Sequence, residues 1–113
     1  MITIFGIRNC DTMKRSFAWL EANGVAYEFS DYRKPGVATA HLTDWSRRVG
    51  WRSLLNTRGL TWKKLTEEER AEVDEAKALR LMAEHPTLIK RPVLDTGTCL
   101  LVGFSAETYA ILT

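Results

Sequence analysis

Strand, helix and strand follow one another within the first third of the chain, and that order restricts the fold more than any other feature. Ile2 to Ile7 is an apolar run broken only by Thr3 and Gly6, as in a strand buried on both faces. A polar turn follows, Arg8-Asn9-Cys10-Asp11-Thr12. From Met13 to Ala22 the spacing is helical: Phe17 and Leu20, flanked by Met13 and Trp19, make an apolar face beside Lys14, Arg15 and Glu21. Asn23-Gly24 supplies a stop, Gly24 being suited to a left-handed cap. Val25 to Tyr32 alternates in part through Val25, Tyr27 and Phe29, and reads as a second strand. Such a βαβ unit crosses over in the right-handed sense.

Lys34-Pro35-Gly36 breaks the chain, and the following fifty residues have helical character. Thr39 is placed to cap a helix whose Leu42, Trp45 and Val49 share a stripe that ends at Gly50. A short piece, Trp51 to Leu55, precedes the irregular Asn56-Thr57-Arg58-Gly59. Thr66-Glu67-Glu68-Glu69 is a capping box. Asp74 can cap another helix, carrying Ala78, Leu79 and Met82, which must end before Pro86. Pro92 to Asp95 and Cys99 to Val102, joined by Thr96-Gly97-Thr98, read as a hairpin. Ser105 caps a last helix through Tyr109 to Leu112. The order is βαβ, then helices, then ββα, with no repeat or linker.

The 113 residues fit one domain with its own core. Sixteen basic against fourteen acidic side chains leave a net charge of +2, too small to call for nucleic acid or membrane as partner. Arg47, Arg48, Arg52, Lys63 and Lys64 interleave with Trp45, Trp51 and Trp62. Tryptophans at helical spacing more often build a core, however, and an acidic run from Glu67 to Glu75 follows at once. Two cysteines are too few for a secreted disulfide framework. The N-terminus lacks signal-peptide character, and no apolar run approaches the roughly 18 residues of a membrane span. The expectation is a soluble, monomeric, cytoplasmic protein with reduced thiols. His41 and His85 have no metal-ligand spacing with a cysteine, so no metal is expected, and no glycine loop cradles phosphate.

Cys10 follows the first strand and opens the first helix. Unpaired backbone amides at Thr12 and Met13 can point at its sulfur there, and the positive end of the helix favours an anion. Such a setting promotes the nucleophilic thiolate. Arg8 and Lys14 add positive charge, and Asp11 opposes it. The position three residues on, where dithiol proteins carry a resolving cysteine, is Met13. In a sheet of order 2-1-3-4 the hairpin turn lies at the opposite end from Cys10. Five residues at ~3.3 Å then put Cys99 on the order of 15 Å away, beyond the ~7 Å Cα limit for a disulfide. Cys99 is read as a packing residue, and the electron donor as an external thiol.

Three stretches together resemble a known group: Arg8-Asn9-Cys10-Asp11-Thr12 after the first strand, Leu55-Asn56-Thr57-Arg58-Gly59, and His85-Pro86-Thr87-Leu88-Ile89-Lys90-Arg91-Pro92-Val93. They resemble the arsenate reductase (ArsC) family of thioredoxin-like proteins, which includes the Spx regulators and the YffB-type proteins. Gly6-Ile7-Arg8-Asn9-Cys10-Asp11-Thr12 is most similar to the YffB branch. The resemblance implies an α/β thioredoxin-like fold: βαβ…ββα, a four-stranded mixed sheet of order 2-1-3-4, and a helical insertion at about 37-86 within a single domain, 1-113. It further implies Cys10 as nucleophile, a cis Pro92 facing it, Arg91 as an oxyanion-binding arginine, and Arg58 facing the cysteine. A guanidinium at Arg91 can hold a thiolate, a glutathione carboxylate or an arsenate oxyanion.

Two departures from the family matter. No arginine occupies Val102-Gly103-Phe104-Ser105, where the ArsC reductases place one, and Asp11 stands where they have glycine. Both changes disfavour a multiply charged oxyanion. The expected function is therefore a glutathione-dependent thiol reductase with glutathione as cosubstrate and no bound cofactor. Arg91, with Arg58 or Arg8, would orient carboxylates; Asn9, Thr12, Pro92 and backbone amides would complete the site around Cys10. The alternatives are arsenate reduction coupled to glutathione and glutaredoxin, or a Spx-like adaptor that binds RNA polymerase without catalysis.

Overall fold

The computed structural model describes residues 1–113. In chain order the elements are β1 (Ile2–Gly6), α1 (Asp11–Ala22), β2 (Tyr27–Asp31), α2 (Val37–Val49), α3 (Trp51–Leu54) and α4 (Leu60–Lys64). Then follow α5 (Glu67–Arg70), α6 (Glu75–Glu84), β3 (Val93–Asp95), β4 (Leu100–Val102) and α7 (Ala106–Tyr109). They form two compact units, one of residues Met1–Tyr32 with Arg91–Thr113, the other Arg33–Lys90.

The first unit is a four-stranded sheet of order β2-β1-β3-β4, the order expected. β1 and β2 run parallel from Ile2↔Tyr27 to Gly6↔Asp31; β3 is antiparallel to β1, with Phe5 opposite Val93 and Thr3 opposite Asp95. This register sets the ends of β1 and β2 and the start of β3 at one edge. α1 packs through Met13 and Leu20 against Ile4, Leu94 and Tyr109, all five fully buried. Burying a side chain of that size contributes about 1.5–3 kcal/mol. Ser16 on α1 and Tyr109 on α7 share a 2.8 Å hydrogen bond inside this core. Gly24, at φ 66, closes α1 as anticipated, Val25 N–H donating to Leu20 C=O at 2.9 Å.

The second unit is helical. The capping box at Thr66 and Glu69 forms in both directions, at 2.8 and 3.1 Å. Asp74 caps α6, accepting from Lys77 N–H at 2.9 Å. One expectation fails: Thr39 lies inside α2, and the cap residue is Gly36. With φ 81, Gly36 turns the chain directly out of Lys34-Pro35, so the helix begins three residues earlier. Leu42 and Trp45 are buried as the stripe predicts. Leu55 and Ile89 form an antiparallel bridge, extended by Asn56 N–H to Leu88 C=O and Lys90 N–H to Leu54 C=O, each 2.8 Å.

Candidate active site

Cys10 is the N-cap residue of α1: its backbone is extended, and its carbonyl accepts from Lys14 N–H at 2.9 Å. The thiol is free and partly buried against the core. Contrary to expectation, it makes no capping hydrogen bond to the amides of the first turn. The longer thiol of an N-cap cysteine is a weak acceptor compared with a serine or aspartate oxygen. What the helix offers the sulfur is the field of its first turn rather than a formed bond.

The strand register explains what lies nearby. The segment entering β3 begins at the edge where β1 ends, which brings Arg91 and Pro92 to that side. The Arg91–Pro92 bond is cis, as the resemblance implied. The Arg91 Nε donates to the Tyr32 hydroxyl at 3.1 Å. Tyr32 is fully buried. Burial pushes its hydroxyl up to about 12 despite the opposing pull of Arg91, and the negative charge available to Cys10 adds to the rise. Cys10, Tyr32 and Arg91 thus share one electrostatic neighbourhood.

Gly6, the last residue of β1, packs closely against Met13. A β-carbon there would stand 2.5 Å from the Met13 Sδ and 3.5 Å from the Arg91 Cβ. The thioether would have to shift to admit a methyl, whereas the arginine contact is an ordinary one. Met13, at the position of a resolving cysteine, is completely buried and serves as packing under the site.

The remaining sequence candidates are placed as follows. The Arg8 guanidinium lies over the rings of Phe29 and Phe17, 4.4 and 5.8 Å from their centroids. A cation seated on aromatic faces is held by the ring quadrupoles. Asn9 is exposed in the bend before Cys10, and the Thr12 hydroxyl accepts weakly from Arg15 at 3.5 Å. Pro92 is buried, its carbonyl accepting from Gly103 N–H at 2.8 Å. Arg58 belongs to the other unit, where it lines a cavity. Cys99 corrects an expectation: it is exposed, not packed. It closes the hairpin turn, its N–H donating to Thr96 Oγ1 at 2.9 Å, one residue before β4 begins. That turn follows Asp95, opposite the start of β1, so Cys99 sits at the sheet edge away from Cys10.

Tyr32 and Gly6 were not singled out from the sequence. Their signal was the parallel pairing itself, since residues just past the carboxyl ends of adjacent parallel strands gather where ligands bind. No group of three His, Cys, Asp or Glu side chains is placed to hold a metal, and no helix is long and apolar enough to cross a membrane.

The solved structure of the YffB protein superposes with a TM-score of 0.93 at 45% identity, covering 99% of this chain and 98% of that one. An arsenate reductase (ArsC) related protein from Brucella melitensis gives a TM-score of 0.78 at 44% identity, over 97% and 92% of the two chains. An uncharacterized protein of Haemophilus influenzae is 39% identical over 109 residues, 96% of each chain. The fold is thioredoxin-like α/β, and residues 5–112 match the ArsC family model. The chain belongs to the ArsC family.

Proposed function

We propose that the protein is a glutathione-dependent thiol reductase in which Cys10 works alone. The observation that carries this reading is the shared neighbourhood of the Cys10 sulfur, the Arg91 guanidinium and the buried Tyr32 that anchors it. A thiolate at the start of a 12-residue helix attacks a disulfide formed between a substrate thiol and glutathione. The Cys10–sulfur bond to glutathione forms as the mixed disulfide breaks, and the substrate leaves as a thiolate that takes a proton from water. A second glutathione, as thiolate, then attacks the adduct. Oxidised glutathione departs and Cys10 returns as thiolate. Arg91 supplies the positive charge that receives a glutathione carboxylate, with Asn9, Thr12 and Pro92 around it.

Because Cys99 is exposed, the test uses Cys99→Ser as background. Intact-mass measurement after exposure to oxidised glutathione should show one glutathione per chain, lost on adding Cys10→Ser. An unmodified Cys10 over hours at neutral pH would reject the reading. The relative named for arsenate reductase raises arsenate as substrate. The exposed Asp11 beside Cys10 and the absence of an arginine in Val102-Gly103-Phe104-Ser105 stand against it. A coupled assay should show no arsenate-dependent oxidation of glutathione.

A further inference from the structure

The unit Arg33–Lys90 contains a cavity of about 650 Å³, within the size range of small-molecule sites. Its wall carries four cations, Arg52, Arg58, Arg70 and Lys90, together with the indoles of Trp51 and Trp62, and no carboxylate. None of the four cations forms an ion pair; the formed pairs in this unit include those joining Arg47 and Arg48 to Asp44. Four like charges around one concavity repel one another, and an anion brought in from outside relieves that repulsion.

The wall is also built firmly. The Leu55–Ile89 bridge and its two flanking 2.8 Å hydrogen bonds tie the backbone leading to Arg58 to the backbone carrying Lys90. The Asn56 Oδ1 accepts from Arg58 N–H at 3.0 Å, and a β-carbon at Gly59 would stand 2.8 Å from the Asn56 Nδ2. The Arg52 guanidinium already stacks on Trp51, 4.5 Å from the ring centroid. A cation stacked on an indole can extend that stack onto a further planar group.

We propose that this cavity binds a small nucleotide-like compound, a planar ring joined to phosphate groups. Phosphoryl oxygens concentrate several negative charges in the space that four exposed cations line, and guanidinium groups match them in pairs. The ring finds indole faces. A single nucleotide fits better than a strand: the whole chain has only +2 net charge, and Arg70 shares α5 with Glu67, Glu68 and Glu69, which interrupts any basic track.

Isothermal titration calorimetry of the full chain with ADP, pyrophosphate, adenosine and a short single-stranded oligonucleotide tests this. ADP should bind saturably, at least about tenfold more tightly than pyrophosphate or adenosine, because only ADP engages both cations and indoles. Arg52→Ala with Arg70→Ala should weaken ADP by about a hundredfold, tenfold for each lost charge-assisted contact. Unchanged far-ultraviolet dichroism verifies that the variant is folded. No saturable heat with ADP, equal affinity for pyrophosphate, binding of the oligonucleotide alone, or unaltered ADP affinity in the variant would each overturn the proposal. Each outcome leaves the chemistry assigned to Cys10 untouched, since the glutathione adduct is measured separately.

Discussion

In the sheet unit the guanidinium of Arg91 is anchored by a hydroxyl with no solvent exposure, beside the closely packed Gly6 and Met13. In the helical unit four cations stand on a cavity wall without an ion pair among them. Chemistry at a sulfur needs charge at a fixed distance, because misplacement by about 1 Å can cost a hundredfold in rate. Binding an anion needs charge in sufficient amount, and flexible side chains can adjust around it. On the two proposals, the units divide these demands between packing and composition.

Four substitutions grade the contrast. Met13→Ala should cost the most, about 2–5 kcal/mol in chemical denaturation, since it opens a cavity beneath Gly6 and Cys10. Gly6→Ala should cost about 1–3 kcal/mol, because the new methyl forces the buried Met13 thioether to repack. It should also slow formation of the Cys10 adduct, since Cys10 packs against the core that Met13 belongs to.

Tyr32→Phe should cost about 1–2 kcal/mol through loss of the acceptor for Arg91. It carries a signature that a packing defect would not. The Tyr32 hydroxyl sits near 12 in the folded chain and near its ordinary 10.0 when unfolded. The folded state therefore keeps a proton that the unfolded state releases, and stability falls as pH rises from about 10 to about 12. That part of the alkaline loss should vanish in the phenylalanine variant. Persistence of the full pH slope would detach Tyr32 from the site.

Asp44→Ala, which removes partners of Arg47 and Arg48 at 2.9 and 3.3 Å, should cost the least, under about 1 kcal/mol. A cost matching that of Met13→Ala would erase the distinction between a jammed site and an adaptable charged surface.

Features set by near neighbours were legible from the sequence. The caps at Thr66, Asp74 and Ser105 close hydrogen bonds to residues three positions on, so spelling and structure coincide. The parallel pair and the hairpin followed from periodicity and turn residues. Thr39 does not cap α2 because Gly36, with positive φ, starts the helix upstream of a good side-chain cap. Cys99 precedes an apolar run and reads as part of it, whereas the turn extends to include it and leaves it exposed. Arg91 became a candidate through family resemblance, and the positions of Tyr32 and Gly6 depend on register, which no local pattern spells out. The cation cavity was hidden for the same reason: Arg58 and Lys90 stand 32 positions apart, on backbone segments joined by the bridge between Leu55 and Ile89.

Met13 beneath the sulfur, with the second thiol exposed at the opposite sheet edge, also has a kinetic consequence. A dithiol protein discharges a mixed disulfide by an internal step whose rate is indifferent to its surroundings. In the reaction proposed for Cys10, an adduct waits for a collision, so its lifetime scales inversely with the concentration of free thiol around it. On that reading, as the thiol pool empties the adduct would accumulate, and the fraction of chains carrying it would become a running measure of that pool.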